Sequence, residues 1–151
     1  MIRRLAILFT IAALAGAALA AEKTVALKDL PPTVQKTIHD NLNGGEIKNI
    51  GKETEEGVAQ YEVETMLNGK HRDFNVDTRG NLLVVEQETT LDAIPAAAKA
   101  SILKKVGGGK LRTIETVQKP GAELMYEAGY TTKAGRHAEV RVKADGTGTK
   151  E

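Results

Sequence analysis

Apolar positions along the chain follow one period, then another, and the alternation happens twice. Leu30, Val34, Ile38 and Leu42 recur at four-residue spacing behind Pro31, and Ile94, Ala98, Ile102 and Val106 do the same behind Pro95. That spacing predicts a helix with one apolar face, opened by a proline that the first turn tolerates and stopped by the glycine pairs Gly44-Gly45 and Gly108-Gly109. After each helix the pattern shortens to that of strands, expected at about 46–55, 58–67, 70–77 and 82–88, then at about 110–118, 123–132 and 136–143, with a stub at about 147–150.

The two runs also match each other. Leu27 to Pro31 corresponds to Leu91 to Pro95, and the same offset carries Ile38 onto Ile102, Gly44-Gly45 onto Gly108-Gly109 and Ile50 onto Ile114. One inserted residue then aligns Tyr61-Glu62 with Tyr126-Glu127, and another aligns Gly69-Lys70-His71 with Gly135-Arg136-His137. Self-similarity of this kind predicts a duplication. The expected fold class is α+β: two tandem repeats, residues 21–89 and 90–151, each one helix packed on a roughly four-stranded antiparallel meander sheet. A half of about 64 residues buries too little surface to be comfortable alone, so the halves are expected to share a core in one compact domain.

Turn chemistry sets the register of the central hairpins. Asn68-Gly69 is a preferred two-residue turn, which places Leu67 opposite Lys70, Val63 opposite Phe74 and Tyr61 opposite Val76. The loop Lys133-Ala134-Gly135 places Tyr130 opposite Ala138, Ala128 opposite Val140 and Tyr126 opposite Val142. After Thr78-Arg79-Gly80 the same counting puts Leu82 and Val84 on the core face, and Leu83 and Val85 on the other.

Composition adds an export reading. Met1 to Arg4 is basic, Leu5 to Ala15 is uncharged and mostly apolar, and Ala18-Leu19-Ala20 supplies small residues, so residues 1–20 are expected to be a signal peptide cleaved after Ala20. The apolar run is short for a membrane anchor, and the mature protein is expected in the periplasm or secreted, without an anchor. There is no cysteine, so disulfides and lipid attachment at a cleavage-site cysteine are excluded. Residues 22–88 carry 8 Lys or Arg against 13 Asp or Glu, while residues 89–151 carry 11 against 7. Opposed halves most simply attract each other. Nucleic acid is not expected as a partner, because the basic half has no dense cluster and only Tyr126 and Tyr130 to stack on bases.

Candidate chemistry is thin. The hairpin register sets Glu64 opposite Asp73, Glu62 opposite Asn75 and Met66 opposite His71, so Glu62, Glu64, Asp73 and His71 form an acidic group that could take a divalent cation; a solvated acidic face is the simpler account. Leu83 and Val85 beside Met66 form an apolar stripe, either covered by the second unit or an edge-to-edge dimer, or an exposed patch for a partner. Gly107 to Lys110 is no phosphate loop, since the glycines follow a helix and Leu111 stands where Ser or Thr is needed. His39 reads as a helix-surface residue. With no Cys, no histidine pair at metal spacing and no Gly-x-Ser-x-Gly, an enzyme is not expected, nor is any cofactor.

Leu30-Pro31 followed by Val34 and Ile38, a glycine at the helix end, Tyr61-Glu62-Val63, and Val76-Asp77 followed by Gly80 and Leu82 together resemble the PepSY-like family, which is related to β-lactamase-inhibitor-like proteins. The resemblance spans essentially all of the mature chain as two units. It implies an exported, non-catalytic module that binds or inhibits another protein outside the cytoplasm. β-Lactamase inhibition itself does not carry over, because the inhibitor's disulfides and aromatic-rich surface have no counterpart in a chain with no Cys and only 2 Phe and 3 Tyr. The expected binding surface is the helix-free face around Met66, His71, Leu83 and Val85; the alternative function is cation binding or ligand sensing at Glu62, Glu64, Asp73 and His71.

Overall fold

In a computed structural model, residues 23–55 and 57–149 are described. The expected signal peptide therefore lies outside the described residues. The chain runs β1 (Lys23–Thr24), a short 3-10 turn (Leu27–Asp29), α1 (Pro32–Asn41), β2 (Glu46–Glu55), β3 (Val58–Leu67), β4 (Lys70–Asp77), β5 (Leu82–Glu88), α2 (Ala96–Val106), β6 (Lys110–Gln118), β7 (Met125–Thr131) and β8 (His137–Lys143). Pro31 and Pro95 take extended backbone as N-caps, and Pro32 starts α1 where a missing N–H costs nothing.

All eight strands form one antiparallel sheet in sequence order, β1 to β8. This corrects the expected architecture: the protein is a mostly-β sheet carrying two helices, not two repeats each with a four-stranded sheet of its own. The overturning observation is the ladder between β5 and β6, in which Val85, Glu86, Gln87 and Glu88 face Gln118, Val117, Thr116 and Glu115. Separate sheets would have left β5 and β6 as open edges with unpaired backbone groups, and joining them satisfies both. Of the expected last strand at 147–150, the described residues form one isolated bridge, between Val142 and Gly148.

The two central hairpins adopt the expected registers. Val63 faces Phe74 and Tyr61 faces Val76, with Asn68 and Gly69 at positive φ; Ala128 faces Val140 and Tyr126 faces Val142. β5 departs from expectation. A bulge between Asn75 and Val76 makes Val76 face Leu82 but Asn75 face Val84 and Phe74 face Val85. An extra residue on one strand reverses every later side chain. Leu82 keeps its expected place, whereas Val85 joins Leu82 against the core and Val84 moves to the opposite face.

Two apolar clusters result. Leu30, Val34 and Ile38 of the α1 region pack on Ile50, Tyr61, Val63, Phe74 and Val76, and Ile94, Ala98, Ile102 and Val106 of the α2 region pack on Ile114, Ala128 and Val142. Strand alternation relates them. Val85 lies on the first cluster and faces Gln118, and Gln118 shares a face with Thr116 and Ile114, which lies on the second. Both helices therefore cover the same face. Turns pin them there: the Thr37 hydroxyl donates to the Gly80 carbonyl at 2.6 Å and Ser101 to that of Gly146 at 2.7 Å. At Gly80, with φ +93°, a β-carbon would stand 2.9 Å from the Thr33 backbone, so only glycine lets the turn sit this close.

Candidate functional site

The other face of the sheet carries no helix, and the register organises it into rows. One row reads Met66, His71, Glu88, Glu115, Glu127, Arg141: Met66 faces His71, the His71 backbone N–H donates to the Glu88 carboxylate at 3.1 Å, Glu88 faces Glu115, Glu115 faces Glu127, and Glu127 faces Arg141. The adjacent row reads Asp73, Glu86, Val117, Met125, Lys143. A third holds Glu62, Asn75 and Val84. Carboxylates thus crowd the middle of the sheet, where β5 meets β6.

Arg141 reaches this crowd from β8. Its guanidinium lies 2.6 Å from Glu127 and 3.9 Å from Glu86, and the Glu127 side chain is only 6% exposed. Burial, followed by repulsion from Glu127 and Glu115, pushes the Glu86 carboxyl up to about 8 despite Arg141. Burial and then repulsion from Glu127, Asp73 and Glu88 push Glu115 up to about 7. Burial also raises Asp73, partly offset by the hydrogen bond from the Thr65 N–H at 2.8 Å. Near neutral pH the sheet centre therefore holds protons that isolated carboxyl groups would have lost.

The residues singled out in the sequence are distributed as follows. Met66 and His71 face each other on the helix-free side, half-buried. Glu62 faces Asn75, and Glu64 accepts a hydrogen bond from the Asn49 amide at 3.0 Å. Leu83 is the extra residue of the β5 bulge, and Val85 lies on the helix side opposite Phe74, so Val84 occupies the row position expected of Val85. Among the described residues, no group of three or more His, Cys, Asp or Glu is placed to hold a metal ion. His39 is exposed on α1, as read from the sequence.

Glu86, Glu88 and Glu115 were missed. The acidic group expected only in the first half extends through them into the second, as far as Glu127. Cross-strand opposition of Glu127 and Arg141 follows from the second hairpin turn, but the meeting of Glu88 with Glu115 depends on the β5–β6 pairing, which no local turn specifies. Two shallow clefts of about 420 and 470 Å³ flank β1 instead, one lined by Lys23, Asp29, Leu30, Lys52 and Tyr61, away from the acidic rows.

No protein-family model matches the chain, and no curated protein matches it. Solved structures do. The fold is similar to that of a Bacteroides eggerthii protein provisionally described as periplasmic, at TM-score 0.66 and 15% identity over 80% of this chain and 86% of that one. A DUF2874 family protein from Bacteroides uniformis gives 0.64 at 15% identity, with 80% and 86% coverage. A BLIP-like protein from Bacteroides fragilis gives 0.60 at 14% identity, with 80% and 84% coverage. At such identities the likeness establishes a shared BLIP-like fold. It adds nothing to the PepSY-like resemblance or to the expectation of two tandem units.

Proposed function

We propose that this chain is a non-catalytic binding module, periplasmic or secreted, that contacts another protein through the helix-free face of its sheet. The observation that carries the reading is the placement of both helices on one face, which leaves the sheet a helix-free face where Met66, His71, Val84 and Met125 stand among carboxylates. A face of mixed apolar and charged side chains without a covering layer has the composition of an interaction surface. The fold neighbours support it: one is described as BLIP-like and another as provisionally periplasmic. No described helix is long and apolar enough to cross a membrane. Within this reading Met66, His71 and Leu83 keep the role expected of them, and Val84 takes the one expected of Val85.

A photo-crosslinking residue tests the proposal. Placed at Met66, it should trap one specific protein from envelope extracts. Placed at Leu103, which is 44% exposed on the helix side, it should not. Substituting Glu88→Lys should lower the yield at Met66. Equal trapping from both positions, or trapping indifferent to Glu88→Lys, overturns the assignment.

A further inference from the structure

The place where the carboxylates gather is also one of the shorter joins of the sheet, longer only than the two-pair β1–β2 ladder. The β5–β6 ladder has four residue pairs, supplemented by the backbone bond from Thr89 N–H to Ile114 O at 2.8 Å. The two apolar clusters share no residue, and at the join itself the fully buried Val117 faces Glu86. Across the join Glu88 faces Glu115, and on either side of it Glu115 faces Glu127 of β7 and Glu86 faces Asp73 of β4. Like charges directly opposed on a sheet repel, and here they do so in series with limited water around them.

We propose that the β5–β6 join is a pH-responsive joint, tight at weakly acidic pH and loosened at weakly alkaline pH.

The groups that act on it are Glu62 and Glu64 from β3, His71, Arg72 and Asp73 from β4, Glu86 and Glu88 within β5, Glu115 within β6, Glu127 from β7, and Arg141 and Lys143 from β8. Arg141 is engaged with Glu127 and Glu86, and Lys143 with Glu123 at 3.3 Å, while His71 and Arg72 act on Asp73 from β4, so positive charge flanks the carboxylates that face one another at β5 and β6. The direction follows from linkage. A carboxyl group whose proton is held more tightly in the folded chain than in the unfolded one stabilises the fold least at high pH. The raised Glu86 and Glu115 carboxyl groups agree with that direction and place the change between weakly acidic and weakly alkaline pH. Loosening at this join, rather than at another ladder, follows because Glu86 and Glu115 both lie on it.

The test is backbone amide exchange of the intact folded protein between pH 5 and pH 9, expressed as protection so that intrinsic base catalysis cancels. Protection at residues 86–88 and 115–117 should fall tenfold or more over that range, while the β2–β3 and β7–β8 ladders keep theirs. Glu86→Gln with Glu115→Gln removes both titrations with little change of shape and should abolish the fall. Glu115→Gln alone should reduce it, and Asp40→Asn, a remote exposed carboxyl on α1, should leave it intact. Protection at the join that tracks the outer ladders at every pH, or a fall that survives in the double variant, overturns the proposal.

Discussion

Val84 and Val85 are adjacent, alike and half-buried, yet the bulge gives them opposite surroundings. Val85 faces Phe74 and packs on the first apolar cluster, whereas Val84 faces Asn75 on the helix-free side. Replacing each by Thr changes little in volume and substitutes one hydroxyl for one methyl. At Val85 that hydroxyl enters a cluster beside Phe74 and Val63, which are fully shielded and offer no polar side-chain atom. Leaving it unsatisfied should cost about 1–2 kcal/mol, toward the lower part of the range for buried hydroxyls because the site is only partly enclosed. Val84→Thr should stay within about 0.5 kcal/mol, as substitutions at water-accessible sheet positions do. Urea denaturation reads the difference: with a slope typical of a domain this size, Val85→Thr should lower the midpoint by roughly 0.5–1 M and Val84→Thr by less than half of that. A larger loss at Val84 than at Val85 would mean that β5 keeps an unbulged register and that the helix-free face is misassigned.

Three further outcomes are expected. The Glu115 carboxyl is pushed up to about 7, so the folded chain holds a proton that the unfolded chain releases near its ordinary 4.5; wild type should lose stability as pH rises from 4.5 to 7, and Glu115→Gln should gain about 1–2 kcal/mol over it at pH 8 but nothing at pH 4, after allowance for solvent screening of a half-buried group. Thermal melts at the two pH values measure this, and an equal gain at both contradicts it. Gly80→Ala should cost at least about 2 kcal/mol because the turn meets the Thr33 backbone at positive φ, while Gly121→Ala, at φ +72° in open space, should cost about 1, a contrast that chemical denaturation resolves. Cutting the chain between Thr89 and Thr90 and separating the pieces strips β5 and β6 of each other, so each fragment should be poorly folded by circular dichroism; two cooperative melts from the separate pieces would contradict a common fold.

What the sequence disclosed was local. Four-residue spacing behind Pro31 and Pro95 located both helices, and Asn68-Gly69 and the Lys133 to Gly135 loop set two hairpin registers pair for pair, because a short turn leaves its strands little freedom to slip. The failures share a physical origin in contacts that no single turn controls. The β5 bulge adds Leu83 without a glycine or proline to mark it, which moved Val85 onto the core. β5 and β6 are separated by the whole of α2 and its loops, so their pairing is a nonlocal choice, and each strand read alone is as good an edge as a partner. That hidden pairing turned Glu86 and Glu115 from apparently solvent-facing residues into half-buried neighbours, and it merged two expected sheets into one. It also carried the acidic face across the charge boundary drawn between the halves.

The account depends above all on β5 and β6 being neighbours, because that pairing puts both helices on one side and leaves the other open. Cross-strand nuclear Overhauser contacts in the isotope-labelled protein test it directly. Backbone contacts should link Glu86 with Val117 and Glu88 with Glu115, in the antiparallel pattern and with slowed amide exchange on both strands at pH 5. Absence of those contacts, with β5 and β6 amides exchanging as fast as open edges, would contradict the single sheet and the helix-free face together.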